Sequence, residues 1–538
     1  MSRATAPENL VPQEHIVAPP AHRPDAGKWL VAASVLTGTF LSVMDVSVVN
    51  VAMPHMMGSF GQDLLTITWV STAYSIAEII MITMTAFWST LLGRKRLYLL
   101  SMTIFIVGSI LAGTSQTFGQ MLFYRVIQGA GGGTLIPASQ AITREKFPPA
   151  EQGMAMALYS MGVMLAPTIG PIVGGWLVDN WGWRWIFYVN VPFAAVGLLM
   201  VSAFVQDPPY LKRGFQRIDW GGIGLLSVGL TALQVVLERG QEVDWFASSW
   251  IVFGTIVAVA AIAAMLVWEF TRDEPIINFR LFRNVRLSAG SGMGTVIGFA
   301  LFGSTFLLPQ MTQDLLGYPA YQAGLVLFPR AAAMFCVMPI VGRIYNFVSP
   351  RILIAFGMAV LAIAYWGLGH LSLGISIWSL IPLLIETGIG VGCSMVILST
   401  VSLSSMPRAN MTAAAGLYTL VRRVSGNIAY AVLATLIQRR TQIHRSNLDA
   451  NITSFNHALN QFDTGANGRL TAFGYGSPTF RTRDLAMVNG ILNRQATMMA
   501  YNDTYTLLSW LFVAALPLTL LLPRRGVPVE AAAAEAEE

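Results

Sequence analysis

The 538-residue sequence predicts an all-α polytopic membrane protein, and three observations carry that expectation. Charged residues make up 11% of the chain and hydrophobic residues 54%, whereas an ordinary soluble domain carries about 25% charged residues. A soluble chain of this length divides into about three or four domains, each needing a charged surface. The 33 basic and 27 acidic residues cannot coat them. The second observation is a series of fourteen apolar runs, each long enough to cross a bilayer. The third is a one-sided distribution of Lys and Arg between those runs. Together they exclude a soluble multidomain enzyme, a disordered chain and a disulfide-rich secreted protein. Cys336 and Cys393 both lie in apolar runs and read as packing residues.

Residues 1–27 are polar and Pro-containing, which makes them a cytoplasmic tail without an expected cleavable signal. A span needs about 20 apolar residues. Runs at 30–53, 68–90, 97–115, 121–143, 153–177 and 185–206 meet that length and form a first six-helix bundle, residues 28–206. Residues 207–285 hold two charged linkers, 207–218 and 271–285, around an extra pair of runs at 219–237 and 249–270. Runs at 286–308, 320–342, 352–371, 377–401, 411–436 and 502–522 form a second six-helix bundle within 286–523. Residues 524–538 are a second cytoplasmic tail. Gly93-Arg94-Lys95-Arg96 after the second run and Gly342-Arg343 after the tenth suggest a weak internal repeat. Two related bundles around a central site are a transporter arrangement.

Lys and Arg concentrate on the cytoplasmic side of membrane proteins. With the amino terminus placed there, twenty of the 33 basic residues fall on that side. The short segments opposite hold only Arg184 and Arg239. Both termini are therefore expected in the cytoplasm. The net charge of +6 reads as an orientation signal and not as a nucleic-acid surface.

An ionisable residue at mid-bilayer costs about 2.5–3.5 kcal/mol on insertion scales. Asp45, Glu78, Arg125, Arg330, Glu386, Arg422 and Arg423 interrupt the apolar runs. Such a residue either locks helices together or faces a water-filled cavity. At 1.5 Å per residue, Asp45 lies about 12 Å below the outer end of its run and Arg125 about 6 Å below its own. A long arginine side chain bridges that difference, so Asp45 with Arg125 is the expected proton-coupling pair, and Glu78 and Glu386 are the next candidates. Gly129, Gly131, Gly132 and Gly133 have no following Gly-Lys-Ser/Thr, so they read as close helix packing and not as a phosphate loop. Pro167, Gly170, Pro171, Gly174 and Gly175 should make the fifth helix kink and pack tightly. The six histidines are scattered, and no metal, cofactor or catalytic site is expected. The 26 methionines suit an adaptable apolar cavity or lipid-facing surface equally.

The motifs resemble those of the major facilitator superfamily, in particular the fourteen-helix drug/proton antiporters of the EmrB/QacA type. The first run reads Met44-Asp45-Val46-Ser47-Val48-Val49-Asn50-Val51-Ala52-Met53-Pro54, and the fourth carries Arg125-Val126-Ile127-Gln128-Gly129. The fifth carries Gly162 and Gly170-Pro171-Ile172-Val173-Gly174-Gly175, similar to the antiporter motif, and Trp183 to Pro192 continues in family style. The resemblance implies a major facilitator fold of two six-helix bundles plus two extra helices. It assigns Arg125 to proton coupling and Gly162, Pro167, Gly170, Pro171, Gly174 and Gly175 to gating. Asn50, Gln128, Arg330 and Arg422 are the candidates for a substrate cavity, and Gly93, Arg94 and Lys95 for the cytoplasmic loop motif. That motif departs from the family at Ala86 and Thr90, and its second copy at Asn346. Glu386 stands where relatives carry arginine.

Residues 437–501 are too long for a plain connector. Ile443, Leu448, Ile452, Phe455 and Leu459 recur at helical spacing, and a second helical stretch is expected near 482–500. A helical hairpin on the outer face resembles the loop of Gram-negative members that pair with a periplasmic adaptor and an outer-membrane channel. The expected function is proton-coupled export of hydrophobic or amphipathic compounds across an inner membrane. The alternatives are a dedicated transporter of one metabolite and a membrane receptor without transport.

Overall fold

The computed structural model describes residues 27–207, 219–272, 277–319, 322, 325–345, 347–407, 410–450 and 478–522. The expected tails at 1–26 and 524–538, the Asn346 position, and Ile452, Phe455 and Leu459 lie outside the described residues. Those described form fourteen helices of 15 residues or more and no strand. In chain order they are α1 (Gly27–Phe60), α2 (Trp69–Leu92), α3 (Arg94–Thr114), α4 (Phe118–Lys146), α5 (Pro149–Trp181), α6 (Asn190–Phe204), α7 (Trp220–Arg239) and α8 (Ser249–Thr271). They continue as α9 (Val285–Gln310), α10 (Phe328–Ile344), α11 (Pro350–Leu368), α12 (Ile377–Ser402), α13 (Met411–Asp449) and α14 (Pro478–Ala515).

Among the described residues, eleven stretches are long and apolar enough to cross a membrane, and α4, α9 and α10 are not among them. For α4 the reason is its surroundings. Its glycines and polar residues, from Gln128 to Arg144, are buried against other helices, so they need not be lipid-compatible. Helix ends depart from the apolar runs because a helix does not stop where lipid stops. Thus α1 runs through His55, Gly58 and Ser59 to Phe60, and α13 continues through a basic stretch to Asp449. The stretch expected near 482–500 is the first part of α14, which begins at Pro478.

Gly93 adopts φ of +83°, the left-handed region that favours glycine. It turns the chain directly from α2 into α3, so Arg94 and Lys95 begin a helix and are not loop residues. Arg94 is buried and paired with Glu145, while the Lys95 backbone N–H donates to Asp207 Oδ1 at 2.8 Å. Nearby, Lys28 pairs with Glu151 at 2.5 Å and Arg144 Nη1 donates to the Thr400 carbonyl at 2.7 Å. We call this end of the molecule the basic face.

Three apolar cores organise the chain. One joins α1 to α4 and α6, including Leu41, Val48, Tyr98 and Phe187. A second joins α9 to α14, including Met338, Tyr365 and Phe512. The third belongs to neither half: Ile79, Ile82 and Phe87 of α2 meet Leu226 and Leu230 of α7 and Leu417 of α13. The halves also touch directly near the basic face, where a Cβ on Gly342 of α10 would lie 2.8 Å from Ala157 Cβ and 2.9 Å from the Gly153 carbonyl of α5. Cys336 on α10 is exposed, unlike Cys393, which is buried, so only the latter fits the packing expectation.

An internal repeat is visible in the glycine contacts. A Cβ on Gly129 of α4 would meet the Tyr74 carbonyl at 2.4 Å and Ala77 Cβ at 3.1 Å. A Cβ on Gly388 of α12 would meet the Arg330 carbonyl at 2.4 Å and Ala333 Cβ at 2.8 Å. The packing of α2 against α4 is thus repeated by α10 against α12. Replacing Gly342 with Val should lower stability by about 1–3 kcal/mol, the usual overpacking cost. Gly292, whose Cβ would meet nothing within 4 Å, is the control: Gly292→Ala should leave the apparent melting temperature in detergent unchanged, and equal melting of both variants would refute the tight inter-half contact.

Candidate functional site

Asp45 and Arg125 come together in the interior of the first half. Arg125 is fully buried and Asp45 nearly so, and Arg125 Nη1 lies 2.5 Å from Asp45 Oδ2. Removing one partner of such a buried pair costs about 3–5 kcal/mol. Neutral donors complete the shell of the carboxylate. Gln128 Nε2 and Asn190 Nδ2 donate to Asp45 Oδ1 at 2.8 and 3.0 Å. Arg125 Nη1 also donates to Gln128 Oε1 at 2.7 Å, and its Nε donates to the Val70 carbonyl at 3.1 Å. The guanidinium stacks 4.3 Å from the ring centroid of Tyr74, a cation–π contact.

Local sequence explains how these groups meet. Arg125 and Gln128 are three residues apart on α4 and share a face. A Cβ on Gly108 would fall 2.6 Å from the Gln128 backbone, so α3 approaches α4 only because glycine stands there. Ser109 then bonds both amides, accepting from Gln128 Nε2 at 3.3 Å and Asn190 Nδ2 at 3.1 Å. Gly132 accommodates the Tyr74 hydroxyl, which contacts Ser42 Oγ at 3.0 Å. The glycine run of α4 is therefore packing surface on three sides. Arg125 Nη2 and Asn190 Oδ1 have no hydrogen-bond partner among the described residues.

The gating candidates on α5 form a stripe against α1. A Cβ on Gly162 would meet Leu36 at 2.7 Å, one on Gly170 Ser47 Cβ at 2.7 Å, and one on Gly174 Val48 at 3.0 Å. Gly175 lies beside the stripe, 4.0 Å from Val51. Pro167 and Pro171 sit inside the continuous helix Pro149–Trp181.

Glu78 does not join Asp45. One fully buried side chain of α2, it pairs with Arg423 Nη2 of α13, across the two halves. Beside it, Glu238 of α7 accepts from Thr72 of α2, and Gln234 accepts from Asn427 Nδ2 of α13 at 2.6 Å. Glu386 stays apart on α12, half-buried, with its Oε2 lacking a hydrogen-bond partner. Arg330 Nη1 donates to Thr305 Oγ1 at 3.4 Å inside the second half. Asn50 is exposed and accepts from Ser71 Oγ at 3.1 Å, whereas Gln128 belongs to the Asp45 cluster. Arg422 is half-buried, with its guanidinium 6.0 Å from the Tyr418 ring centroid. Asn190, Ser109, Tyr74 and Glu238 were not among the expected residues. Asn190 had one signal: an uncharged polar residue two positions before Pro192 at a helix start.

Glu78→Gln removes the carboxylate that pairs directly with Arg423 and leaves Glu238 as the remaining acid near it. Arg423 is 21% exposed, so screening reduces the loss to about 1–3 kcal/mol. The double variant Glu78→Gln/Arg423→Gln should recover part of that loss. Thermal melting of the purified protein across the double-mutant cycle reads the coupling, and strictly additive losses would count against the pair.

Residues 35–430 match the family model described as Major Facilitator Superfamily. The chain is 34% identical over 441 residues to the multidrug export protein EmrB of Escherichia coli (strain K12), covering 81% of this chain and 85% of that protein. It is 30% identical over 486 residues to the probable multidrug resistance protein EmrY of the same strain, covering 90% and 93%. The solved structure of the human organic anion transporter MFSD10 (TETRAN) aligns with a TM-score of 0.60 at 16% identity, over 91% of this chain and 100% of that one; this likeness concerns the fold. With its many apolar helices, its repeated halves and its match over most of the sequence, the chain belongs to the Major Facilitator Superfamily.

Proposed function

We propose that this protein is a proton-coupled exporter of hydrophobic and amphipathic compounds, working by alternating access in an inner membrane with both termini in the cytoplasm. The observation that carries the reading is the buried Asp45–Arg125 pair with its Gln128 and Asn190 donors, in a chain similar to proteins named for multidrug export. Protonation of Asp45 removes the negative charge that Arg125 holds. The guanidinium keeps only Gln128, the Val70 carbonyl and the Tyr74 face. A pair of helices, α1 and α4, is then free to shift, and the glycine stripe joining α1 to α5 carries the shift to the helix that contacts α10. Opening of the Gly153–Gly342 contact at the basic face exposes the interior to the cytoplasm.

The outer hairpin supports the adaptor reading. Asn502 donates to the Leu371 carbonyl at 2.8 Å in the turn between α11 and α12, which marks the outer end of the bundle. Helix α14 begins at Pro478, about 36 Å earlier along its axis. His444 and Arg445 of α13 bond Asp503 and Asn489 of α14 at 2.8 and 2.6 Å. The described ends of α13 and α14, tied in this way, are the surface on which we place a periplasmic adaptor.

Asp45→Asn should abolish pH-gradient-driven efflux in proteoliposomes while the protein still melts cooperatively. Efflux at the wild-type rate in that variant would refute the coupling role. Replacing 449–488 with a short Gly/Ser linker should spare vesicle transport and abolish capture of a periplasmic adaptor supplied in trans. Undiminished capture would dismiss the docking surface.

A further inference from the structure

Arg422 and Arg423 are neighbours in sequence with different surroundings. Successive residues of a helix project about 100° apart. Arg423 turns towards α2 and is neutralised by Glu78. Arg422 projects between α13, α9 and α5. It lies within electrostatic reach of Tyr418 and of Tyr159 on α5. No ion pair engages it among the described residues, although it stands eleven residues into α13, about 16 Å along the axis. That depth is near the middle of a bilayer core about 30 Å thick.

A second donor accompanies it. Tyr418 precedes Arg422 by one turn, so both share a face. Its hydroxyl is buried and has no hydrogen-bond partner among the described residues. Glycines of α9 face this part of α13. A Cβ on Gly294 of α9 would stand 3.6 Å from the Tyr418 ring, and one on Gly298 would stand 3.8 Å from the Arg422 carbonyl. Tyr159 cannot compensate the charge, because its hydroxyl already donates to the Ile136 carbonyl at 3.2 Å.

Resting on the export reading above, we propose that Arg422 and the Tyr418 hydroxyl bind the headgroup of an anionic cargo, and that the preferred substrates are amphipathic monoanions. A guanidinium accepts a planar or tetrahedral oxyanion through two parallel N–H donors, and the phenol adds a third. The hydrophobic body of the cargo then lies against the apolar walls between the halves. One electrical consequence separates this cargo from a cation. Exporting a monoanion against any given number of protons moves two more positive charges inward than exporting a monocation against the same number.

The test uses the full-length protein in proteoliposomes with a proton gradient and two probes: anilinonaphthalene sulfonate, which is a permanent amphipathic anion, and tetraphenylphosphonium, a lipophilic cation. Wild-type protein should export the sulfonate, and a lumen-negative diffusion potential should accelerate that flux more than the cation flux. Arg422→Gln should slow sulfonate export about tenfold or more, the loss expected for one charge-assisted contact, and leave tetraphenylphosphonium export near wild type. Arg422→Lys should retain part of the sulfonate flux. Equal slowing of both probes by Arg422→Gln, with no difference in their response to potential in the wild type, would overturn the assignment. Gradient-driven export of the cation but not of the sulfonate would overturn it while leaving the export reading intact. Absence of gradient-driven flux for either probe would overturn both.

Discussion

The interior of the first half and the seam between the halves depend on one constraint: a buried charge is held by a partner from a distant part of the same chain. Asp45 is held by Arg125, Gln128 and Asn190, which come from two helices far apart in sequence. That shell forms only because glycine lets the backbones approach, as Gly108 does for α3 against α4 and Gly129 for α2 against α4. Small residues at helix contacts permit close approach in membranes, where no hydrophobic effect drives association between helices. The glycines and the charges are thus two sides of the same requirement. Widening any of these contacts would strand a polar group in an apolar interior.

The fold was legible in the sequence to the extent that lipid dictates it. Long apolar runs announced the helices, and the interrupting charges marked the interior. Helix ends were less legible, because Gly58 in α1 and the basic end of α13 remain helical beyond their apolar runs. Asp45 and Arg125 stood out because an ionised group among apolar residues is conspicuous. Asn190 did not, since an amide carries a smaller penalty and its bond to Asp45 spans 145 positions. The pairing of Glu78 with Arg423 and not with a residue of its own half depends on the rotational setting of α13 against α2. A one-residue change in that setting would have offered Arg422 instead, and no local pattern encodes which.

The seam between the halves is built differently at its two sides. Near the basic face, α5 and α10 meet through Gly153 and Gly342 with little between them. On the other side, α2 and α13 share an apolar core and the Glu78–Arg423 pair, and Thr419 of α13 donates to Gln140 Oε1 of α4 at 3.3 Å. A rocking motion would separate a thin apolar contact on one side and disturb a charged one on the other. The two sides of the seam are therefore held by different forces.

The extra helices α7 and α8 have a consequence for how cargo reaches the interior. Through Glu238 to Thr72 and Gln234 to Asn427, α7 is fastened to α2 and to α13 alike, and Trp245 in the segment before α8 adds a bond to Thr435 of α13. The two extra helices cover the outside of the α2–α13 seam like a shutter over a window. The opposite side, between α5 and α10, carries no such cover, and there the glycine-thinned contact lies close to the Lys28–Glu151 pair.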